Sequence, residues 1–141
     1  MMSHMKKAKQ TLGVIGVGAF GEFMLKHLIP YFDVTVYDKG RDLSAVGDTY
    51  NVTIGTLTDI SACDIIILAV PVRALEQTLA DIKPLLRVGQ LVIDVCSVKC
   101  QPVAILEKNL PTDVDAVSVH PLFGPQSGKH GIHGLNITVC N

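Results

Sequence analysis

The sequence predicts an α/β domain built on a doubly wound, mostly parallel sheet. Three observations carry that expectation. Short aliphatic and β-branched runs alternate with stretches of helical periodicity along the chain. A glycine-rich turn, Gly16-Val17-Gly18-Ala19-Phe20-Gly21, separates the first run from the first helical stretch. An aspartate, Asp38, closes the second run.

The elements follow in order. Thr11 to Val17 is β-branched and bounded by glycine, so it reads as a buried parallel strand. A helix from about Ala19 to Leu28 follows, because Phe20, Met24 and Leu28 recur at helical spacing and Pro30 stops it. Val34 to Tyr37 is the second strand. The pattern over 41–60 is weaker; Val52 to Ile54 fits a short third strand and Asp59 to Ala62 a short helix. Ile65 to Val70 is the apolar run of a central strand, broken by Pro71. Val72, Leu75, Leu79 and Ile82 mark an amphipathic helix that ends near Pro84. Leu91 to Val95 is a strand, Pro102 to Lys108 a helix with proline in its first turn, and Ala116 to His120 a strand. A Gly-, Pro- and His-rich loop covers 121–134, and Asn136 to Cys140 is the last strand.

Composition bounds the function classes. The chain has 141 residues, 48% hydrophobic and 18% charged, which suits one domain with a substantial core and excludes a disordered chain. The net charge is -1 at pH 7 and no lysine- or arginine-rich stripe occurs, so neither nucleic acid nor an anionic membrane is expected as a partner. No apolar run is long enough to cross a bilayer and the N-terminus lacks a signal-like stretch, so a cytoplasmic location is expected. Residues 1–10 read as a disordered or tag-like terminus, and 11–141 as the folded domain. Cys63, Cys96, Cys100 and Cys140 lack the spacing of a zinc or redox motif and read as buried or incidental thiols. His130 and His133 have no third ligand in view, so no metal site is expected.

The glycine turn has the form G-x-G-x-x-G, and each glycine has a physical reason. Gly16 permits the tight turn, Gly18 admits a pyrophosphate close to the backbone, and Gly21 lets helix and strand pack closely. The helix N-terminus then offers free N–H groups and partial positive charge to the anion. The context of strand, turn, helix, strand and Asp38 is that of a Rossmann-type dinucleotide site. Asp38 is placed to accept hydrogen bonds from an adenosine ribose and to repel a 2′-phosphate, which favours NAD over NADP. Lys39 and Arg41 lie just beyond, either as solvated loop charges or as groups that swing toward a phosphate. The expected cofactor contacts are Gly16, Gly18, Ala19, Phe20, Gly21, Asp38, Lys39, Ala69, Val70, Pro71 and Ser97.

Ligands of open α/β sheets bind beyond the carboxyl ends of the strands. Three strand ends should therefore meet at the nicotinamide: Ala69-Val70-Pro71, Asp94-Val95-Cys96-Ser97-Val98-Lys99, and the segment from His120 to Lys129. His120 is the candidate for acid–base work, since imidazole titrates near neutrality, although a strand-end histidine serves equally as a structural residue. Ser97 either orients His120 and a substrate hydroxyl or caps the following helix. Lys99 either attracts a carboxylate or is solvated.

These residues resemble the N-terminal domain of the prephenate/arogenate dehydrogenase family of tyrosine biosynthesis, from about Leu12 to Asn141. The most specific parts are Asp94 to Lys99 and His120-Pro121-Leu122-Phe123-Gly124-Pro125-Gln126-Ser127-Gly128-Lys129. The second is similar to the plant-type motif His-Pro-Met-Phe-Gly-Pro-Glu-Ser-Gly-Lys, with Leu122 and Gln126 as departures. Asp38 is unlike the NADP-dependent plant enzymes. The resemblance implies NAD(P)-dependent oxidative decarboxylation of prephenate or arogenate. The residue matching His120 takes the ring hydroxyl's proton, and that matching Ser97 supports the hydroxyl and the histidine. It also implies a following helical domain that dimerises. With the sequence ending at Asn141, the expectation is the cofactor-binding domain alone, acting as a homo-oligomer or with a partner chain, with apolar surface uncovered at its C-terminal edge. Two other readings stay open: a non-catalytic NAD(P)-binding module, and an enzyme of the β-hydroxyacid or imine reductase type sharing this domain.

Overall fold

The computed structural model describes residues 8–96, 100–121, 124–131, 133–134 and 137–140. The strands are β1 (Gln10–Ile15), β2 (Phe32–Tyr37), β3 (Thr53–Ile54), β4 (Ile65–Leu68), β5 (Leu91–Asp94), β6 (Asp115–Pro121) and β7 (Ile137–Cys140). The helices are α1 (Ala19–Leu28), α2 (Ser44–Tyr50), α3 (Leu57–Ser61), α4 (Val72–Ile82) and α5 (Cys100–Asn109), with a 3-10 turn at Lys83–Leu85. Among the described residues the strands form one sheet in the order β3-β2-β1-β4-β5-β6-β7. All pairings are parallel except β6 with β7, which is antiparallel. This is the expected doubly wound, mostly parallel Rossmann-type sheet.

The chain winds outward from β1 to β3 and then returns to place β4 on the other side of β1. That reversal opens a crevice above β1 and β4. Register decides what faces it: Ile15 lies opposite both Tyr37 and Leu68, so three strands end at one level. The segments that follow them, at Gly16, Asp38 and Ala69, are thereby brought side by side.

The central strands are apolar along their length because both faces are covered. On one face Ile66, Leu68 and Val92 pack with Leu75, Leu79 and Ile82 of α4, Ile60 of α3 and Leu106 of α5. On the other, Leu12, Val14, Val34, Val36 and Ile67 pack with Leu25 of α1 and Val46 of α2. Gly13 lets α3 come close, since a Cβ there would stand 2.7 Å from Cγ2 of Ile60. Buried Gln90 ties the β5 entrance to α3: its amide nitrogen donates to the carbonyls of Ser61 and Cys63 at 2.6 and 2.8 Å.

Element bounds differ from the sequence expectation in modest ways. β1 ends at Ile15, not Val17, because Gly16 turns out of the strand with φ +96°. β4 and β5 end at Leu68 and Asp94, although pairing runs one bond further through Ala69 N–H to Ile15 O and Val95 N–H to Leu68 O. The short helix sits at Leu57–Ser61, started by a capping box in which Thr56 and Asp59 bond each other's backbone N–H groups. Helix α2 was not expected. It buries only Val46, and it ends on Asn51 in the left-handed conformation at φ 54°. Cys63 and Cys96 are buried reduced thiols. Burial pushes the Cys63 thiol up.

The α1 side of the sheet is covered unevenly. Between α1 and strands β4 to β7 runs an apolar groove of about 260 Å³, lined by Met24, Ile67, Ile93, Val119 and Ile137 among others. Ile137 and Val139 of β7 are 55% and 61% exposed, as expected for apolar surface at that edge. His27 of α1 lines the groove, and its buried Nε2 has no hydrogen-bond partner among the described residues. Its ring packs edge-on to Phe23. Burial, aided by the Lys26 charge, holds the His27 imidazolium below the usual histidine range.

The neutral ring therefore suits the fold, and protonation favours the unfolded chain. His27 contributes stability above its unfolded value near 6.5 that is lost as pH falls below about 6.5 toward its lower folded value. Thermal midpoints of the wild type and His27→Leu, compared from pH 7.5 down to pH 5, are expected to diverge, with the wild type falling faster. Parallel curves would contradict this assignment.

Candidate functional site

A cleft of about 550 Å³ opens at the carboxyl ends of β1, β2 and β4. Its floor is the glycine turn. Gly16 N–H donates to the carbonyl of Tyr37 at 2.9 Å, which joins the end of β1 to the end of β2. At φ +96°, and with a Cβ position 2.7 Å from the backbone of Ala69, Gly16 has room for no side chain. Gly21 is pressed against the carbonyl oxygen of Gly16, so a Cβ there would collide with the turn itself. Gly18 differs: its φ is -83°, and no atom lies within 4 Å of its Cβ position. The space above Gly18 is open cleft. Gly18 is the N-cap of α1 and supplies no side-chain cap, so the positive end of the helix opens on the cleft.

The end of β2 braces this turn. The Asp38 carboxylate accepts from Val17 N–H at 2.7 Å and from Gly40 N–H at 2.9 Å. Arg41 donates to the Val17 carbonyl at 2.6 Å and to Glu22 Oε1 at 2.7 Å. Tyr50, at the end of α2, donates its hydroxyl to Glu22 Oε2 at 3.1 Å. Hydrogen bonding from Arg41 holds the Glu22 carboxyl below the usual carboxylate range. Burial, then the bond to Glu22, raises the Tyr50 phenol.

The cleft brings together Gly16, Gly18, Ala19, Phe20, Gly21, Asp38, Lys39, Ala69, Val70 and Pro71. A second hollow of about 270 Å³ shares Phe20, Ala69 and Val70 with it and adds Val95, Cys96, His120 and Pro121. The three strand ends thus meet as the sequence anticipates, with His120 half-buried between them. Buried Asp94 fixes the β5 end by accepting from Cys96 N–H at 2.8 Å and the Ser118 hydroxyl at 3.2 Å. Cys96 Sγ donates to the Val70 carbonyl at 3.3 Å, linking two of the ends. Ser97 and Lys99 lie outside the described residues, as does Leu122. Beyond β6, Gly128 is buried against the Phe23 ring and donates its N–H to Gly124 O. Among the described residues no group of three or more His, Cys, Asp and Glu side chains forms a metal set.

Several lining residues escaped the sequence reading. Tyr37 and Leu57 form an apolar wall, and Ala74, Thr78 and Asp81 of α4 form the opposite one. The α4 residues follow one helical face beside the buried Leu75, Leu79 and Ile82 stripe, which is the signal that could have found them. The Thr78 hydroxyl donates to Ala74 O at 2.7 Å, so it is satisfied within the helix.

Comparison with known proteins agrees with this geometry. Residues 24–134 match the family model described as prephenate dehydrogenase, nucleotide-binding domain. The glycine turn precedes that range and rests on its own geometry. Arogenate dehydrogenase 2 of Arabidopsis thaliana, a chloroplastic protein, is 32% identical over 135 residues, covering 92% of this chain and 37% of its own length. Cyclohexadienyl dehydrogenase of Zymomonas mobilis is 32% identical over 125 residues, covering 82% of this chain and 42% of its own. Prephenate dehydrogenase of Aquifex aeolicus is 26% identical with a TM-score of 0.69, over 82% of this chain and 44% of that one. The 3-hydroxyisobutyrate dehydrogenase of Mycobacterium tuberculosis, at 13% identity and TM-score 0.76 over 86% of this chain and 44% of that one, shares the fold. The chain spans less than half the length of each of these relatives.

Two glycines of the turn separate by substitution. Gly21→Ala is expected to lower stability by about 1–3 kcal/mol, the usual cost of forcing atoms into a packed site. Gly18→Ala, at an allowed φ and facing open space, is expected to leave the thermal midpoint near that of the wild type. Chemical denaturation of both variants checks the pair; equal losses would contradict the assigned geometry.

Proposed function

The chain belongs to the prephenate dehydrogenase family, as its nucleotide-binding domain, and from that premise we propose that it binds NAD in the cleft above the glycine turn and carries the acid–base residue of an oxidative decarboxylation. The observation that carries the proposal is the open space above Gly18, at a helix N-terminus with no side-chain cap and beside the Asp38 carboxylate. A Cβ at Gly18 would fill the place a pyrophosphate takes. Residues 11–141 are read as one such domain.

Gly18, Ala19, Phe20 and Gly21 face the pyrophosphate with their backbone, and Gly16, whose N–H is engaged by the Tyr37 carbonyl, shapes the turn beneath it. Asp38 has oxygen lone pairs left after its two backbone bonds, and accepts from the adenosine ribose. Its charge opposes a 2′-phosphate, so NAD is preferred to NADP. Ala69, Val70 and Pro71 wall the cleft toward the nicotinamide, and Ser97 follows Cys96, which donates to the Val70 carbonyl. When bound, the cofactor supplies the hydride acceptor.

The substrate is read as prephenate or arogenate. Hydride leaves the carbinol carbon, the ring carboxylate departs as carbon dioxide, and the ring becomes aromatic. His120 accepts the hydroxyl proton as the carbonyl character develops, and the phenol regains a proton on tautomerisation. Ser97 supports the hydroxyl and the imidazole. The second domain of the longer relatives, a partner chain or a second copy supplies the remaining substrate contacts.

Calorimetry of this chain with NAD tests the cofactor half, and turnover by the longer protein carrying this domain tests the rest. NAD is expected to bind saturably. His120→Asn is expected to lower kcat by about 10²–10⁴-fold, the range for losing an acid–base group. Absence of NAD binding would overturn the reading. Tight NAD binding with full turnover in His120→Asn would reduce it to a nucleotide-binding module with a different base.

A further inference from the structure

We propose that Glu22 sets the choice between the two nicotinamide dinucleotides by holding Arg41 on the glycine turn, away from where a 2′-phosphate would sit. The proposal rests on the reading of the cleft as a dinucleotide site. Proteins that accept the 2′-phosphate place an arginine near the end of the second strand. This chain has one there, Arg41, just beyond Asp38. It is engaged elsewhere: Nη1 donates to the Val17 carbonyl at 2.6 Å and Nη2 to Glu22 Oε1 at 2.7 Å. Each outer nitrogen of the guanidinium fork is thus committed through one N–H, which fixes the direction in which the fork points.

Glu22 is itself well placed to keep that hold. It stands in the first turn of α1, where the helix dipole favours a carboxylate. The Tyr50 hydroxyl donates to its other oxygen at 3.1 Å. Three elements thus meet on one carboxylate: α1, the β2–α2 loop and the end of α2. A single exposed ion pair is weak, but Arg41 gains the Val17 carbonyl in the same pose. The Arg41 side chain is 41% exposed, so once Glu22 is removed a single bond to the Val17 carbonyl is left to compete with a phosphate for it. A released guanidinium can reach a phosphate on the adenosine ribose and form charge-assisted bonds with it. NAD carries only a neutral hydroxyl at that position, so release benefits NADP far more than NAD. Asp38 and Glu22 then act in different ways against NADP: one repels the phosphate, the other withholds its cation.

The test is titration of NAD and NADP, by calorimetry, into the wild type, Glu22→Gln, Glu22→Ala, Arg41→Ala and Glu22→Ala/Arg41→Ala. Thermal midpoints report folding. The readout is the ratio of the two dissociation constants. Glu22→Ala is expected to move the ratio about tenfold toward NADP, the worth of one charge-assisted bond gained. Glu22→Gln, which keeps shape and the bond from Tyr50 and drops the charge, is expected to move it part of the way. The double variant is expected to return the ratio to that of Arg41→Ala. An unchanged ratio in both Glu22 variants would overturn the proposal, as would a gain that survives in the double variant. If Glu22→Ala does not fold, Glu22→Gln supplies the same ratio. A wild type that binds neither dinucleotide would instead remove the reading beneath it.

Discussion

Val17 sits between the first two glycines of the turn, and both of its backbone groups are held by charge. The Asp38 carboxylate takes its N–H and the Arg41 guanidinium takes its carbonyl. Its side chain is buried in the core on the α1 side. A turn that must leave backbone groups open to a ligand has few contacts of its own to define it. Here the adjacent strand end defines it from outside. The carboxylate proposed to accept from the ribose also fixes the floor on which the pyrophosphate would lie, which would make the two halves of the site mechanically one.

Sheet register is what makes that brace available. Ile15, Tyr37 and Leu68 end at one level, which brings Gly16 against Tyr37 O on one side and Ala69 on the other. The crossover from β3 to β4 leaves the crevice open above this line. The β5 and β6 ends continue the row, carrying Cys96 and His120 to the far side of Phe20, Ala69 and Val70. A dinucleotide lying along the strand ends would run from Asp38 toward His120. The structure thus sets the cleft and His120 in order along one edge, the order that the proposed reaction requires.

Legibility in the sequence followed the range of the interactions. The strand, glycine turn, α1 and β2 were readable because each residue there answers a local requirement. Gly16 needs positive φ, and the Leu75, Leu79 and Ile82 stripe needs only helical spacing. α2 was not readable, since it buries one residue and contains Gly47, leaving little periodicity. The Glu22, Arg41 and Tyr50 network was also invisible. Its partners are 19 and 28 residues apart and are brought together only by the packing of α1 beside α2. Asp38 was read as a ribose ligand; its bond to Val17 N–H is a second role that no spacing rule announces. His120 was read from its place at a strand end, and it lines a hollow with Val70 and Cys96.

The most direct test of the account is amide chemical-shift mapping of the isotope-labelled chain during titration with NAD. The predicted result is saturable shifts at Gly18, Ala19, Phe20 and Gly21, at Gly40 behind Asp38, and at Ala69 and Val70. A spectrum that does not respond would contradict the account. So would shifts confined to the opposite end of the sheet, around Thr11, Asn51 and Thr53, where a separate polar hollow lies.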